Sequence, residues 1–304
     1  MSRTIGTVVR GVRAPIFRQG DDVVSIAADT VANALAEEGI TPRDKDVVAI
    51  TESVVARCQG NYATCEQIAE DVRARTGGKT VGVTFPILSR NRFSLLLSGI
   101  ASGAKKIVLL LSLPSDEVGN HLVSMDQLDE AGVDPYRDVL TLEQFRSHFG
   151  SVIHPFTGVD YVDYYQSLIQ EAGAQVEIIF SNRVQSILPY TDTVICCDIH
   201  TRQRSKRLLK SAGARCVLGL DDLLTTSVDG SGYNPQYGLL GSNKADDGRV
   251  KLFPRDTMAV AEALGQALSQ RTGKHIEAMI YGDGAFKDPQ GKIWELADPC
   301  VSPA

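Results

Sequence analysis

The chain has 304 residues, 43% of them hydrophobic and 22% charged, ordinary proportions for a globular chain of one large or two moderate domains. Its net charge of −6 and isoelectric point near 5.4 argue against nucleic acid as the main partner, because phosphate backbones select an excess of Lys and Arg. No stretch approaches the roughly 20 uninterrupted apolar residues of a membrane span, and the opening MSRTIGTVVRGVR lacks a signal peptide's apolar run, so a soluble cytoplasmic protein with no membrane partner is expected.

Taken in order, Thr4 to Val12 alternates loosely and is rich in Val and Ile, which predicts a first strand ahead of Pro15. Asp21 or Asp22 can cap a helix whose residues Val23, Val24, Ile26, Ala27, Val31 and Leu35 fall near helical spacing, closed by Gly39. Val47-Val48-Ala49-Ile50 reads as a buried strand whose carboxyl end turns polar at Thr51-Glu52-Ser53. Thr64 to Thr76 predicts a helix stopped by Gly77-Gly78.

From Thr80 onward strands alternate with helices. Val81 to Phe85, Lys106 to Leu111, Gln175 to Phe180, Ile195 to Asp198 and Cys216 to Leu218 are apolar runs without alternation. Between them lie helical patterns over Asn91 to Ser102, Thr141 to Phe149, Tyr161 to Ala172 and Arg202 to Ala212. This pattern indicates an α/β region with a doubly wound parallel sheet covered on both faces. Val228 to Leu240 is a turn-rich loop, a strand ends at Leu252-Phe253-Pro254, Thr257 to Ser269 is a helix, and His275 to Tyr281 is a strand. The cysteines Cys58, Cys65, Cys196, Cys197, Cys216 and Cys300 form no CxxC pair and read as buried free thiols rather than disulfides or a zinc site.

Four segments in order resemble the coenzyme F-420:L-glutamate ligase family. ESVVARCQG (52–60) is similar to its strand-and-loop signature, and Val12 to Ile16 followed by Gly20-Asp21-Asp22 is similar to its opening. GSNKADDGRVKLFPRD (241–256) resembles its Ser-Asn segment, and RTGKHIEAMIYGDG (271–284) resembles the strand ending in a metal-binding Asp. The resemblance implies a GTP-dependent ligase that uses Mg²⁺ or Mn²⁺ to join glutamate to a deazaflavin precursor through an acyl-phosphate. It implies small-molecule substrates and a homodimer. The motifs fall in 1–78 and 228–304, which predicts a discontinuous α+β ligase-like domain into which 79–227 is inserted; a further carboxyl-terminal segment of the family has no counterpart.

The same resemblance implies roles for particular residues. Ser53, Arg57 (where Lys is usual), Asn243 and the loop Arg13-Ala14-Pro15 match nucleotide contacts, and Asp283 between Gly282 and Gly284 matches a metal ligand. A second metal-binding Asp is replaced by Leu240, so the site is either rebuilt from Asp229, Asp246 or the inserted region, or lost. On their residues alone, Glu52, Ser53 and Arg57 could hold a phosphate or form a strand-end salt bridge, and Asp283 could equally be a turn residue. In the parallel-sheet region ligands favour the strands' carboxyl ends. There Asp198 and His200 could act as acid and base or bind a metal, and Arg90, Arg202 and Arg204 could hold anions; a cap and a surface imidazole are the alternative. Besides the ligase, the sequence admits a non-catalytic nucleotide-binding protein or a separate activity in the inserted region.

Overall fold

The structure, a computed structural model, describes residues 6–245 and 248–282 and the backbone of 286–287, 294–295 and 301–303. It divides into two compact units, the first made of 1–60, 254–284 and 297–304, the second of 61–253 and 285–296. Among the described residues no helix is long and apolar enough to cross a membrane. The first unit begins with α1 (Val23–Glu37), β1 (Asp46–Thr51) and α2 (Glu52–Cys58). α1 starts where the Asp22 carboxylate accepts the N–H groups of Val24 and Ser25 at 3.1 Å, a cap that contributes about 1 kcal/mol.

The second unit opens with β2 (Tyr62–Ala63) and α3 (Cys65–Thr76), the latter entered through a reciprocal Thr64–Gln67 capping box. There follow β3 (Thr80–Thr84), α4 (Ser94–Ser102), β4 (Lys106–Leu111), α5 (Met125–Ala131), β5 (Leu140–Thr141) and α6 (Leu142–Phe149). Next come α7 (Tyr161–Glu171), β6 (Gln175–Phe180), β7 (Thr193–Cys196), α8 (Arg202–Ser211) and β8 (Cys216–Gly219). The sheet order is β5-β6-β4-β3-β7-β8, parallel throughout except where β5 meets β6. Counting parallel strands in chain order, the sheet reads third, second, first, fourth, fifth. This is a doubly wound arrangement whose direction reverses between β3 and β7, where a ligand crevice is expected.

The apolar strand runs are explained by burial on two faces. Ile107, Leu109 and Leu111 of β4 pack with Ile68 of α3, Leu97 of α4 and Tyr165 of α7, whereas Val108 and Leu110 pack with Leu209 of α8 and Val184 and Ile187. α3 belongs to this unit because it lies tightly on α4. A Cβ at Gly99 would stand 2.8 Å from Ile68 Cβ, and one at Gly103 would stand 2.6 Å from the Ala69 carbonyl oxygen. β9 (Asn243–Lys244) and β10 (Val250–Lys251) form a small antiparallel sheet with β2, and Leu239, Leu240, Val250 and Leu252 enter the same core. The unit boundaries therefore fall at 60/61 and 253/254, where packing changes, rather than at 78/79 and 227/228, where the motifs end.

The chain returns to the first unit as α9 (Thr257–Thr272) and β11 (Ile276–Tyr281). β12 (Phe286–Lys287) pairs antiparallel with β13 (Trp294–Glu295) in the second unit, and β14 (Val301–Pro303) lies beside β11 in the first. β1 runs parallel to β11 from Asp46↔Ile276 to Thr51↔Tyr281, and Ala27 and Ala28 of α1 meet Leu264, Leu268, Ile276 and Ala278. Two expectations are corrected here. β1 is an edge strand with Val47 61% exposed, not a buried one. The predicted strand at Thr4 to Val12 is not formed over its described residues 6–12: Val8, Val9 and Val12 are exposed in irregular chain, because β-branched composition favours extended backbone without supplying a strand to pair with.

Candidate functional site

In the first unit, Thr51 Oγ1 accepts the Ser53 N–H at 3.4 Å and caps α2, while Ser53 Oγ donates to Glu52 Oε1 at 3.3 Å. The four-residue spacing places Ser53 and Arg57 on one helix face, with Glu52 buried and the Arg57 side chain exposed. Arg13, Ala14 and Pro15 are exposed in irregular chain of this unit. Gln59 exchanges two bonds with the Arg255 backbone, at 2.7 and 2.8 Å. In the second unit Asn61 holds the Phe253 carbonyl at 2.6 Å and the Tyr233 N–H at 2.9 Å. Much of the signature's tail is thus architectural, a role that the sequence reading missed although an amide beside a turn glycine signals it. Asp283 and Asp246 lie outside the described residues. Asp229 is exposed and Leu240 is a core residue at 7% exposure, so a carboxylate at Leu240's place would be costly. Among the described residues no three His, Cys, Asp or Glu side chains gather as a metal site.

The second unit presents its polar groups at the carboxyl rim of the parallel sheet. Asp198, just past β7, is 1% exposed. Its Oδ2 accepts from Thr201 Oγ1 at 2.6 Å and Ser205 Oγ at 2.9 Å, and its Oδ1 has no partner. Burial, only partly offset by those hydroxyls, pushes its carboxyl above the ordinary range. Glu117, from the loop after β4, accepts the N–H groups of Ile199 and His200, and burial raises it too. Neither Thr201 nor Ser205 was singled out from sequence, although their spacing of four on a helix was the available signal.

Two cations of the rim, Arg202 and Lys206, are held in ion pairs. Arg202 bonds Asp221 Oδ2 through Nε at 2.9 Å and the Ile199 carbonyl through Nη1, so it holds the β7–α8 connection against β8 rather than standing ready for an anion. Lys206 completes that network with Asp221 at 2.8 Å and Asp222 at 2.6 Å. Burial raises the Asp221 carboxyl, but hydrogen bonds from Lys206 and Arg202 outweigh it and hold the group below its ordinary value. Arg204 and the His200 side chain are exposed. The rim therefore brings Asp198 together with Glu117, Thr201 and Ser205, not with an Arg202 free to act.

The first crossover, from β3 to α4, differs from a glycine-rich phosphate loop in how its donors are used. Leu88 N–H goes to Asp116 Oδ2 at 2.8 Å and Ser89 N–H to the Tyr165 hydroxyl at 2.9 Å. The N–H groups of Asn91 and Arg92 go to Ser89 Oγ, and that of Phe93 to the Ser89 carbonyl. An anion here would have to be met by side chains. Arg90, 4% exposed, reaches the Thr157 carbonyl with Nη2 at 3.4 Å. The Lys244 N–H donates to the Asn91 carbonyl at 2.7 Å, which sets Asn243 beside this loop. The free thiols Cys58, Cys65, Cys196, Cys197 and Cys216 are all raised by burial, Cys196 to about 12, which disfavours the nucleophilic thiolate; Cys300 lies outside the described residues.

Fold and rim together define an α/β protein in which a doubly wound sheet accompanies a smaller mixed unit. The family described as F420-0:gamma-glutamyl ligase matches residues 11–304, and the chain belongs to it. That match spans 79–227 as well as the flanking motifs. Searches of the curated proteins and of the solved structures each found no match.

Proposed function

We propose that the protein is a GTP- and divalent-metal-dependent ligase that forms an amide between a deazaflavin-linked carboxylate and the amine of glutamate. In the first step the carboxylate attacks the γ-phosphorus and GDP leaves. In the second the amine attacks the acyl-phosphate carbon, phosphate departs, and the ammonium gives up its proton. The observation that carries this reading is family membership across 11–304. Ser53 and Arg57 on one face of α2 supply a hydroxyl and a guanidinium suited to phosphate oxygens, and the exposed backbone of Arg13-Ala14-Pro15 is open to a nucleotide. Asn243 is carried over on its motif. Mg²⁺ or Mn²⁺ would be held by Asp283 and would neutralise phosphate charge; the described residues add no cluster of their own for it. A homodimer in the cytoplasm belongs to the same proposal.

The experiment is a melting scan with GTP and Mg²⁺ or Mn²⁺, joined to detection of GDP and a glutamylated product by mass. A ligand bound only by the folded state at a hundredfold excess over Kd stabilises by about 2.7 kcal/mol, and Asp283→Asn should remove most of that rise. A metal-and-nucleotide shift that survives Asp283→Asn but vanishes with Asp198→Asn would place the chemistry at the sheet rim. That second reading, a separate activity of the doubly wound unit, is favoured by the buried Asp198 with its bare Oδ1.

A further inference from the structure

We infer that Asn91 and Asn243 together form an oxyanion cradle at the carboxyl rim of the parallel sheet, built from side-chain amides instead of the loop backbone. Asn91 Nδ2 and Asn243 Nδ2 are both shut from solvent and both lack a hydrogen-bond partner. They belong to segments locked together by the Lys244 N–H to Asn91 carbonyl bond of 2.7 Å. A buried amide donor without an acceptor is costly and rare, and two on adjoining segments call for one external acceptor. Asn243 is 6% exposed, whereas Asn91 is half-buried and leaves a way in from the surface.

The surroundings select the charge of that acceptor. Arg90, the neighbour of Asn91 in the chain, is buried and brings a guanidinium to the Thr157 carbonyl. The Thr157 hydroxyl is a further buried group without a partner. Amide donors and a hydroxyl fit a carboxylate or a phosphate oxygen, and the loop's backbone N–H groups, already spent on Ser89, Asp116 and Tyr165, explain why side chains must do the binding. The cradle stands within the second unit. It rests on the proposed ligase reading only in taking Asn243 as a ligand residue; Asn91 and Thr157 are assigned from the geometry alone.

The test is calorimetric titration of the full chain with inorganic phosphate, L-glutamate and metal-free GTP, for the wild type, Asn91→Asp, Asn91→Leu and Asn243→Asp. At least one probe should bind the wild type and lose tenfold or more affinity in both Asp variants, whose added charge repels an oxyanion. Loss for glutamate alone names a carboxylate; loss for phosphate and GTP names a phosphate. Asn91→Leu, which removes the partnerless donor, should lose the same binding while melting no lower than the wild type, a combination that a merely structural amide does not give. The cradle is overturned if none of the three probes binds the wild type, if all bind the Asp variants unchanged, or if Asn91→Leu melts lower yet keeps its affinity. If phosphate or glutamate depends on Asn91 but GTP with metal gives no melting shift, the ligase reading fails and the cradle stands. If the shift depends on Asp283 and Asn91 has no effect, the cradle fails and the ligase reading stands.

Discussion

β1 and β4 are six-residue strands of similar composition, DVVAIT and KIVLLL, but Val47 of β1 is 61% exposed while Ile107 to Leu110 of β4 are fully buried. The difference lies in what surrounds each strand. β4 sits between β3 and β6 with helices on both faces, so each residue removes apolar area from water. Among the described residues β1 has one strand neighbour, β11, and only its inward residues Val48 and Ile50 meet apolar partners. A β-branched run thus specifies a strand, and the number of layers around it specifies how much stability each side chain contributes.

The largest expected effect that would break this contrast is at the centre of the sheet. Leu109→Ala should cost about 3 kcal/mol in urea denaturation, from lost transfer energy and the cavity left behind; a loss below about 1 kcal/mol would mean that the central layer is loosely packed. Gly99→Val comes next. Its side chain would meet Ile68 Cβ at a distance that needs α3 and α4 to part, and overpacking of this kind costs about 2 kcal/mol. An unchanged midpoint would show that the helices are not closely seated.

A smaller effect is read in pH. Burial raises the Asp198 carboxyl above its ordinary 3.8, so the folded state binds that proton more tightly than the unfolded chain does. Stability then declines as pH climbs from about 4 through the raised value. Asp198→Asn should flatten part of the decline, leave the share due to Glu117, and melt at the same temperature or higher at pH 7.5. A variant melting several degrees lower there would mean that the carboxylate is ionised and required for folding. The smallest effect is expected at the edge: Val47→Thr should stay within about 0.5 kcal/mol of the wild type.

Residues with local jobs were legible in the sequence. The Asp22 cap of α1, the Gly77 stop of α3 and the spans of β4 and β6 follow from capping, left-handed glycine and hydrophobic period, interactions that reach only a few residues. The motif order around Glu52 to Gly60 and Gly241 to Asp256 carried the family, because it depends on residue identity alone. Tertiary structure alone decided that β1 is an edge, that α3 joins the sheet unit, that Arg202 is spent on Asp221, and that Asn91 comes beside Asn243. Each of these is a pairing between residues distant in the chain. Such a pairing is settled by which surfaces remain after the sheet has closed and its helices have covered it, and no local pattern of residues encodes that outcome.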